Sequence, residues 1–489
     1  MSTKRSSKTQ LNPEQIEEVR EARKAKKLKA AEAKATPVVA EVAALDAERS
    51  KILHRSWIDL RGQDADLGAM QRVKILSWNL LAQCLVRRTL FPTSDCLKQG
   101  QRESMWINEL LCQDADILCL QETDRLEKLI PLLEKAGYEA HYRAGIRKKH
   151  GCLIAFKKDR FSLLDERQVF YDDQVVNEAD NLSDEARIGK SFKTNNTAPI
   201  VALQEKGGNT GFFVATTHLF WHPRYTYERT RQSGILVREV LRFRNLLAKD
   251  WPCIITGDFN FQPDDPAYSL LVGDPVLAAQ EAELNESMVV HRTVDPSVPA
   301  FDALKAAEEK AKAADDQTKI AEDGTEAAED EAKAGDDDDD GAATEPDRIP
   351  IKSARRAKED GSDGLLIPDA LREFYAKHCQ PLKSAYDIGL AAHNSKQTGA
   401  ATRTYGDRVA LEGRRGASEP EWTSYAHFWK LVLDYIFLID PPNRPSQVTG
   451  LLAPPSTADL EPSIPRLGKC SSDHVSLCAE VAWPASAAR

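Results

Sequence analysis

Cys253-Ile254-Ile255-Thr256-Gly257-Asp258-Phe259-Asn260 is an apolar run that ends abruptly in a glycine, a carboxylate and a carboxamide. Ile254 and Ile255 read as a short strand buried on both faces, and Gly257 permits a tight backbone approach where the strand meets its loop. Asp258 and Asn260 then stand at the strand's carboxyl end. Residues two apart on an extended chain point to one face, so a general base and a neutral amide can share a pocket. The other reading is an Asp/Asn turn that merely ends a core strand.

Other apolar runs end in the same way. Val73-Lys74-Ile75-Leu76-Ser77-Trp78-Asn79 alternates and stops at a carboxamide, and Asp116-Ile117-Leu118-Cys119-Leu120 runs into Gln121-Glu122. A carboxylate at the mouth of a buried strand needs water, a partner or a metal ion, because an unpaired buried charge is costly. Gly211 to Thr217 leads into His218-Leu219-Phe220-Trp221-His222-Pro223. The last two strands expected are Leu433 to Ile439, which carries Asp434, and Val475 to Val481, which follows Ser472-Asp473-His474. After the strand that stops at Asn79 the spacing predicts a helix over Arg102 to Cys112, with Met105, Trp106, Leu110 and Cys112 inward, and after the one that runs into Gln121-Glu122 another over Leu126 to Ala136, closed by Gly137 and open to a kink at Pro131. Tyr138 to Arg143 and Leu153 to Phe156 read as strands joined by a basic loop, Arg147-Lys148-Lys149-His150. A long amphipathic helix is expected from Tyr225 to Asp250, with Arg229, Arg231, Arg238, Arg242 and Arg244 as its solvated face. A further helix starts within Asp265 to Leu271, and another runs from Leu365 to Lys377.

The chain has 489 residues, 42% hydrophobic and 29% charged, enough for a large core. It lacks any apolar run of about 18 residues that would span a membrane. Its start, Met1 to Lys34, has no hydrophobic signal core, so an intracellular location, in cytoplasm or nucleus, is expected. The nine cysteines are scattered singly and read as reduced core residues. Residues 1–45, rich in Lys, Arg, Glu and Ala, read as a disordered basic tail. Residues 302–364 read as a disordered acidic insertion. Within it, Glu308 to Asp340 holds 15 acidic and 4 basic residues, a net of −11, so the net −10 of the whole chain leaves the remainder near −10 + 11 = +1. A near-neutral body with basic clusters can still hold a polyanion.

Asn79, Glu122, His218, Asp258, Asn260, Asp434, Asp473 and His474 thus gather at strand ends. Oxygen ligands without cysteine pairs suit a hard cation such as Mg²⁺ better than zinc. The ordered set Ser-Trp-Asn, Leu-Gln-Glu, Thr-His, Gly-Asp-Phe-Asn, Asp-Tyr-Ile and Ser-Asp-His resembles the endonuclease/exonuclease/phosphatase superfamily over residues 70–485, the acidic insertion apart. Thr216 to Pro223 and Tyr425-Ala426-His427-Phe428-Trp429-Lys430 are similar to its nocturnin and deadenylase branch, and within that to the fungal Ngl-type RNA exonucleases. Two positions depart from the branch: His150-Gly151-Cys152 stands where its deadenylases often carry Asp-Gly-Cys, and His222 stands where they carry an acidic residue.

That resemblance implies a DNase I-like α/β sandwich of two mainly antiparallel sheets with helices outside and the site where strand ends converge. It implies an Mg²⁺-dependent RNA 3′-to-5′ exonuclease, with Mn²⁺ able to substitute and ribosomal-RNA 3′ ends among its substrates. Glu122, Asn79 and Asp473 would serve the metal. Asp258 would activate water that Asn260 positions, His474 oriented by Asp434 would meet the scissile phosphate, and His218 would be its second ligand. Lys148, Lys149, His222 and Arg224 would hold RNA. The alternatives are a poly(A) deadenylase, a small-molecule phosphatase or a DNA endonuclease on the same core, and, in another class, an inactive RNA-binding scaffold.

Overall fold

The computed structural model describes residues 51–61, 70–301, 351–397, 401–411 and 413–485. The basic tail expected over residues 1–45 lies outside them. Strands are numbered in chain order. The first sheet has seven strands in the order β1 (Trp57–Asp59), β16 (Gln447–Leu452), β17 (Leu477–Pro484), β2 (Met70–Asn79), β3 (Ile117–Thr123), β5 (Gly151–Lys157), β4 (Tyr138–Arg143). The second has six, in the order β12 (Lys383–Ser384), β15 (Asp434–Ile439), β9 (Cys253–Asp258), β8 (Gly211–His218), β7 (Thr197–Glu205), β6 (Phe161–Phe170). Pairing is antiparallel within both sheets except for one parallel pair in each, β2 with β3 and β8 with β9. Each parallel pair brings two strand carboxyl ends to one rim.

The period of two along a strand explains why the opening stretch is apolar without alternation. Ile254 points into the space between the sheets, where it meets Ile75, Ile117, Val214, Ile436 and Leu438. Ile255 points the other way, into a core roofed by α3 (Thr226–Leu246), α4 (Pro266–Val272) and α5 (Pro368–His378). On the opposite side Leu76, Trp78, Leu118 and Leu120 pack under α1 (Gln99–Cys112) and α2 (Leu126–Lys135). The architecture is therefore the expected two-sheet sandwich with helices outside.

Several local expectations change. The long helix ends at Leu246, and its arginines do not form a solvated face: Arg229, Arg231, Arg238 and Arg244 are buried, and only Arg242 of the five is exposed. Chain segments cross the outer side of α3, and the guanidinium groups satisfy their carbonyls. Arg231 donates to the oxygens of Ile188 and Tyr171 and pairs with Glu228 at 2.9 Å, both side chains 0% exposed. Periodicity cannot see such a cover. Cys112, expected inward, is exposed, as is Cys84. The strand β16 intervenes between the two that were expected to be last. Of the stretch expected to be a disordered insertion, residues 302–350 lie outside the described residues. Residues 351–364 are ordered: β11 (Ala354–Arg356) pairs with β10 (Val289–His291), and Arg355 bridges Asp295 and Asp363.

Candidate active site

Strand register assembles the site. His218, the last residue of β8, lies beside Asp258, the last of β9, and Asp258 lies beside Asp434, the first of antiparallel β15. One row across three strands thus carries an imidazole and two carboxylates to the same rim. The row depends on Gly257, whose φ is +143° and whose place a Cβ would occupy only 2.1 Å from the Thr217 carbonyl oxygen. Asp258 makes the turn that its sequence suggested and still presents one oxygen to the pocket. Its Oδ1 accepts the Asn260 backbone N–H at 3.1 Å, which is the Asx turn, while Oδ2 faces the pocket. There Oδ2 lies 3.7 Å from His218 Nε2 and 3.6 Å from His474 Nε2. Both gaps exceed a direct hydrogen bond and leave these groups free to turn to a ligand between them.

The first sheet supplies the rest from its own parallel pair. Asn79 ends β2, and a register shift against β5 between Leu120 and Thr123 turns Glu122 into the rim with φ +50°, a left-handed conformation rare for a side-chain-bearing residue. Asn79 Nδ2 donates to Glu122 Oε1 at 3.0 Å and to Asp258 Oδ2 at 2.9 Å, so one amide ties the two sheets' carboxylates together. Its Oδ1 already accepts the Leu81 N–H at 2.9 Å. Asn79 therefore meets the two carboxylates as a donor and bridges them, while its Oδ1 keeps a second lone pair beside the Leu81 N–H. Asn260 Nδ2 donates to the Leu219 carbonyl at 3.1 Å, which orients the amide at the rim.

His474 precedes β17 and is fixed from several sides. Its Nδ1 lies 2.8 Å from Asp434 Oδ2, which leaves Nε2 toward Asp258. Trp78 Nε1 donates to its carbonyl, and Ser472 Oγ accepts its backbone N–H. Burial disfavours the charged imidazole, but Asp434, Asp258 and Asp473 together hold its pKa well above the ordinary range. Burial pushes the Asp434 carboxyl up while His474 pulls it down. Burial also pushes Glu122 up, and the His218 and His150 rings, the Asn79 amide and the Ala82 N–H more than reverse it. Asp473 is pushed up to about 6 by burial, with Glu122 adding to the rise. The pocket thus concentrates the carboxyl groups of Glu122, Asp258, Asp434 and Asp473 at one rim.

Such an oxygen-rich, electron-donating set fits a divalent cation. Among the described residues, Asp258, Asp434 and His474 offer ligand atoms within 4.8 Å of one another, although the His474–Asp434 bond already engages two of them. Glu122, whose side chain is 12% exposed, accepts the Asn79 amide on Oε1 and the Ala82 N–H on Oε2, with a further lone pair on each oxygen at the pocket.

The proposed substrate contacts separate. Lys149 and Arg224 are exposed and Lys148 half-buried, all available to a polyanion. His222 is different: it is 6% exposed, its ring packs against Trp221 and Tyr225, and Nδ1 accepts the Arg224 N–H, so it shapes its loop from within. Arg102 escaped the sequence reading. Its guanidinium donates to the carbonyls of Leu80, Leu81 and Ser471, tying the loop after Asn79 to the one before Asp473. A buried arginine on an amphipathic helix leaves no periodic signal. Thr423 was missed too; its Oγ1 accepts the backbone N–H groups of Leu433 and Asp434.

Comparison with known proteins gives the family and the fold. The chain is 28% identical over 434 residues to a probable RNA exonuclease of Schizosaccharomyces pombe, covering 84% of this chain and 76% of the relative. It is 26% identical over 458 residues to RNA exonuclease NGL2 of Saccharomyces cerevisiae, covering 84% and 78%. Among solved structures, ANGEL2, a 2′,3′-cyclic phosphatase, shares the fold with a TM-score of 0.52 at 19% identity, covering 88% of this chain and 99% of that one. The model of the Endonuclease/Exonuclease/phosphatase family matches residues 76–474, and with the strand-end site in place the chain belongs to that family.

Proposed function

We propose that this protein is a divalent-metal-dependent exoribonuclease that removes nucleotides from RNA 3′ ends. The observation that carries the reading is the Asp258 carboxylate, set between the Nε2 atoms of His218 and His474 and tied through Asn79 to Glu122. Relatives named RNA exonucleases, similar over most of both chains, supply the substrate class. Glu122 holds the cation, Mg²⁺ or Mn²⁺, with Asp473 nearby. When bound, the ion supplies Lewis-acid polarisation of the phosphate and neutralises developing charge. Asp258 Oδ2 orients and deprotonates the attacking water while the Asn260 backbone N–H fixes its other oxygen. His474, protonated and held by Asp434, donates Nε2–H to the scissile phosphate, and His218 donates from the other side. Lys148, Lys149 and Arg224 hold flanking phosphates, which position RNA without reading its sequence.

The test uses 5′-end-labelled RNAs of defined 3′ sequence, including a poly(A) tail and the 3′ end of a ribosomal-RNA precursor, with Mg²⁺, Mn²⁺ or excess chelator. Stepwise shortening from the 3′ end with either ion, and none in chelator, is expected. Internal cuts, full activity in chelator, or intact RNA in every metal overturns the reading. The relative yields with the two natural 3′ ends assign the preferred substrate.

A further inference from the structure

His150 stands at the end of the loop joining β4 and β5, immediately before Gly151, which pairs with Thr123 across the bulge that turns Glu122 inward. Its ring lies 6.2 Å from the His218 ring, centroid to centroid, with the planes tilted by 46°. The loop is pinned at both ends. A Cβ on Gly145 would lie 1.7 Å from the Asn195 carbonyl oxygen, and one on Gly151 would lie 2.3 Å from that of Arg143. A turn bond from Lys148 N to Gly145 O at 3.1 Å closes it. His150 is therefore placed by backbone constraint, half-buried beside Glu122 and His218, and among the described residues no hydrogen bond engages its ring.

A ring held beside the site without a partner of its own is free to donate to a ligand. Two imidazoles at that spacing can each reach a different oxygen of one phosphate, since each N–H···O contact spans about 2.7–3.2 Å. We propose that His150 is a further substrate-contacting residue, which with His218 grips the phosphate entering the site from the side opposite His474. This rests on the proposed function for the identity of the substrate, and not for the binding of phosphate itself. It gives the departure from Asp-Gly-Cys a chemical sense: a carboxylate at position 150 would repel the group that an imidazole donates to.

The experiment compares the full chain with His150→Ala, His150→Gln and His150→Asp in two assays, hydrolysis of a 12-nucleotide RNA and its inhibition by inorganic phosphate. Losing one hydrogen bond to a charged group corresponds to about 10-fold or more. Ala is expected to lower kcat/KM and weaken phosphate inhibition by about that factor, Asp by more, and Gln, which keeps an N–H donor, by less than either. Unchanged kcat/KM and unchanged phosphate inhibition in folded Ala and Asp variants overturn the proposal while leaving the nuclease reading intact. Equal losses in Ala and Gln with a lowered melting temperature also overturn it, in favour of a packing role. If the wild type hydrolyses no RNA, phosphate binding by equilibrium titration replaces the kinetic readout: His150-dependent binding supports the proposal even as the nuclease reading falls.

Discussion

Glu122 and Glu419 are both carboxylates drawn out of water, and their surroundings send them in opposite directions. Glu419 is 0% exposed and bonded by the Tyr268 hydroxyl at 2.9 Å. Burial, with the charge of Asp387 added, pushes it up to about 8 despite the pull of Ser384 and Tyr268. Burial acts on Glu122 in the same sense, yet two imidazoles, an amide and a backbone N–H bring it below its ordinary value. Depth alone therefore does not mark a working carboxylate. The partners differ: those of Glu122 favour its ionised form, the state its proposed role toward a cation requires, whereas burial and Asp387 favour the neutral form of Glu419 in its tyrosine-lined core.

The sharpest way to break that contrast is to remove each charge in turn. Glu122→Gln keeps the shape but not the charge, and a metal ligand stabilises charge in the transition state by several kcal/mol, so turnover on RNA should fall by more than about 100-fold. Mn²⁺ affinity by calorimetry should fall with it. Unchanged metal affinity would move the ion away from Glu122. Glu419→Gln should leave turnover alone and change the pH dependence of stability. Wild-type Glu419 titrates near 4.5 when unfolded and about 8 when folded, so between those values the folded state holds the extra proton and stability falls as pH rises. The slope is at most about 1.4 kcal/mol per pH unit, and the Gln variant lacks it. Urea midpoints from pH 5 to 8.5 check this; parallel curves for the two proteins would show that Glu419 is already charged. The smallest effect belongs to Tyr268→Phe, which removes one buried hydrogen bond worth about 1 kcal/mol and shifts the same window to higher pH.

The same contrast explains what could be read from the chain. Strands whose ends carry the site were legible because β3, β8, β9 and β15 are buried on both faces and read as continuous apolar runs, while β2 alternates before it becomes fully buried. β6 escaped because it is an edge strand, largely exposed, with Asp165, Glu166 and Arg167 in its middle. Asn79 was legible as a strand-end carboxamide but not as the bridge between two carboxylates, since those stand on different sheets and meet only through the fold. His222 was expected to contact substrate and is buried among aromatic rings, a placement set by the loop's path that the sequence does not show. The arginines of α3 show the general limit: a charge pattern fixes which side of a helix is polar, and the segments that later cover that side are invisible to it.

Asp258 is where the account is most exposed. Its Oδ1 makes a turn that asparagine also makes, so Asp258→Asn should fold, with its melting temperature lowered only by loss of the buried Asn79 bond to Oδ2, and hold the labelled RNA as well as the wild type. Only Oδ2, between two imidazoles, should be missed, and loss of a general base costs roughly 10² to 10⁴-fold in rate. The measurement is single-turnover hydrolysis of end-labelled RNA by the folded Asp258→Asn protein in saturating Mg²⁺. A fall of that size with RNA binding retained is the result expected, and wild-type turnover would contradict the assignment of this strand end as the centre of the site.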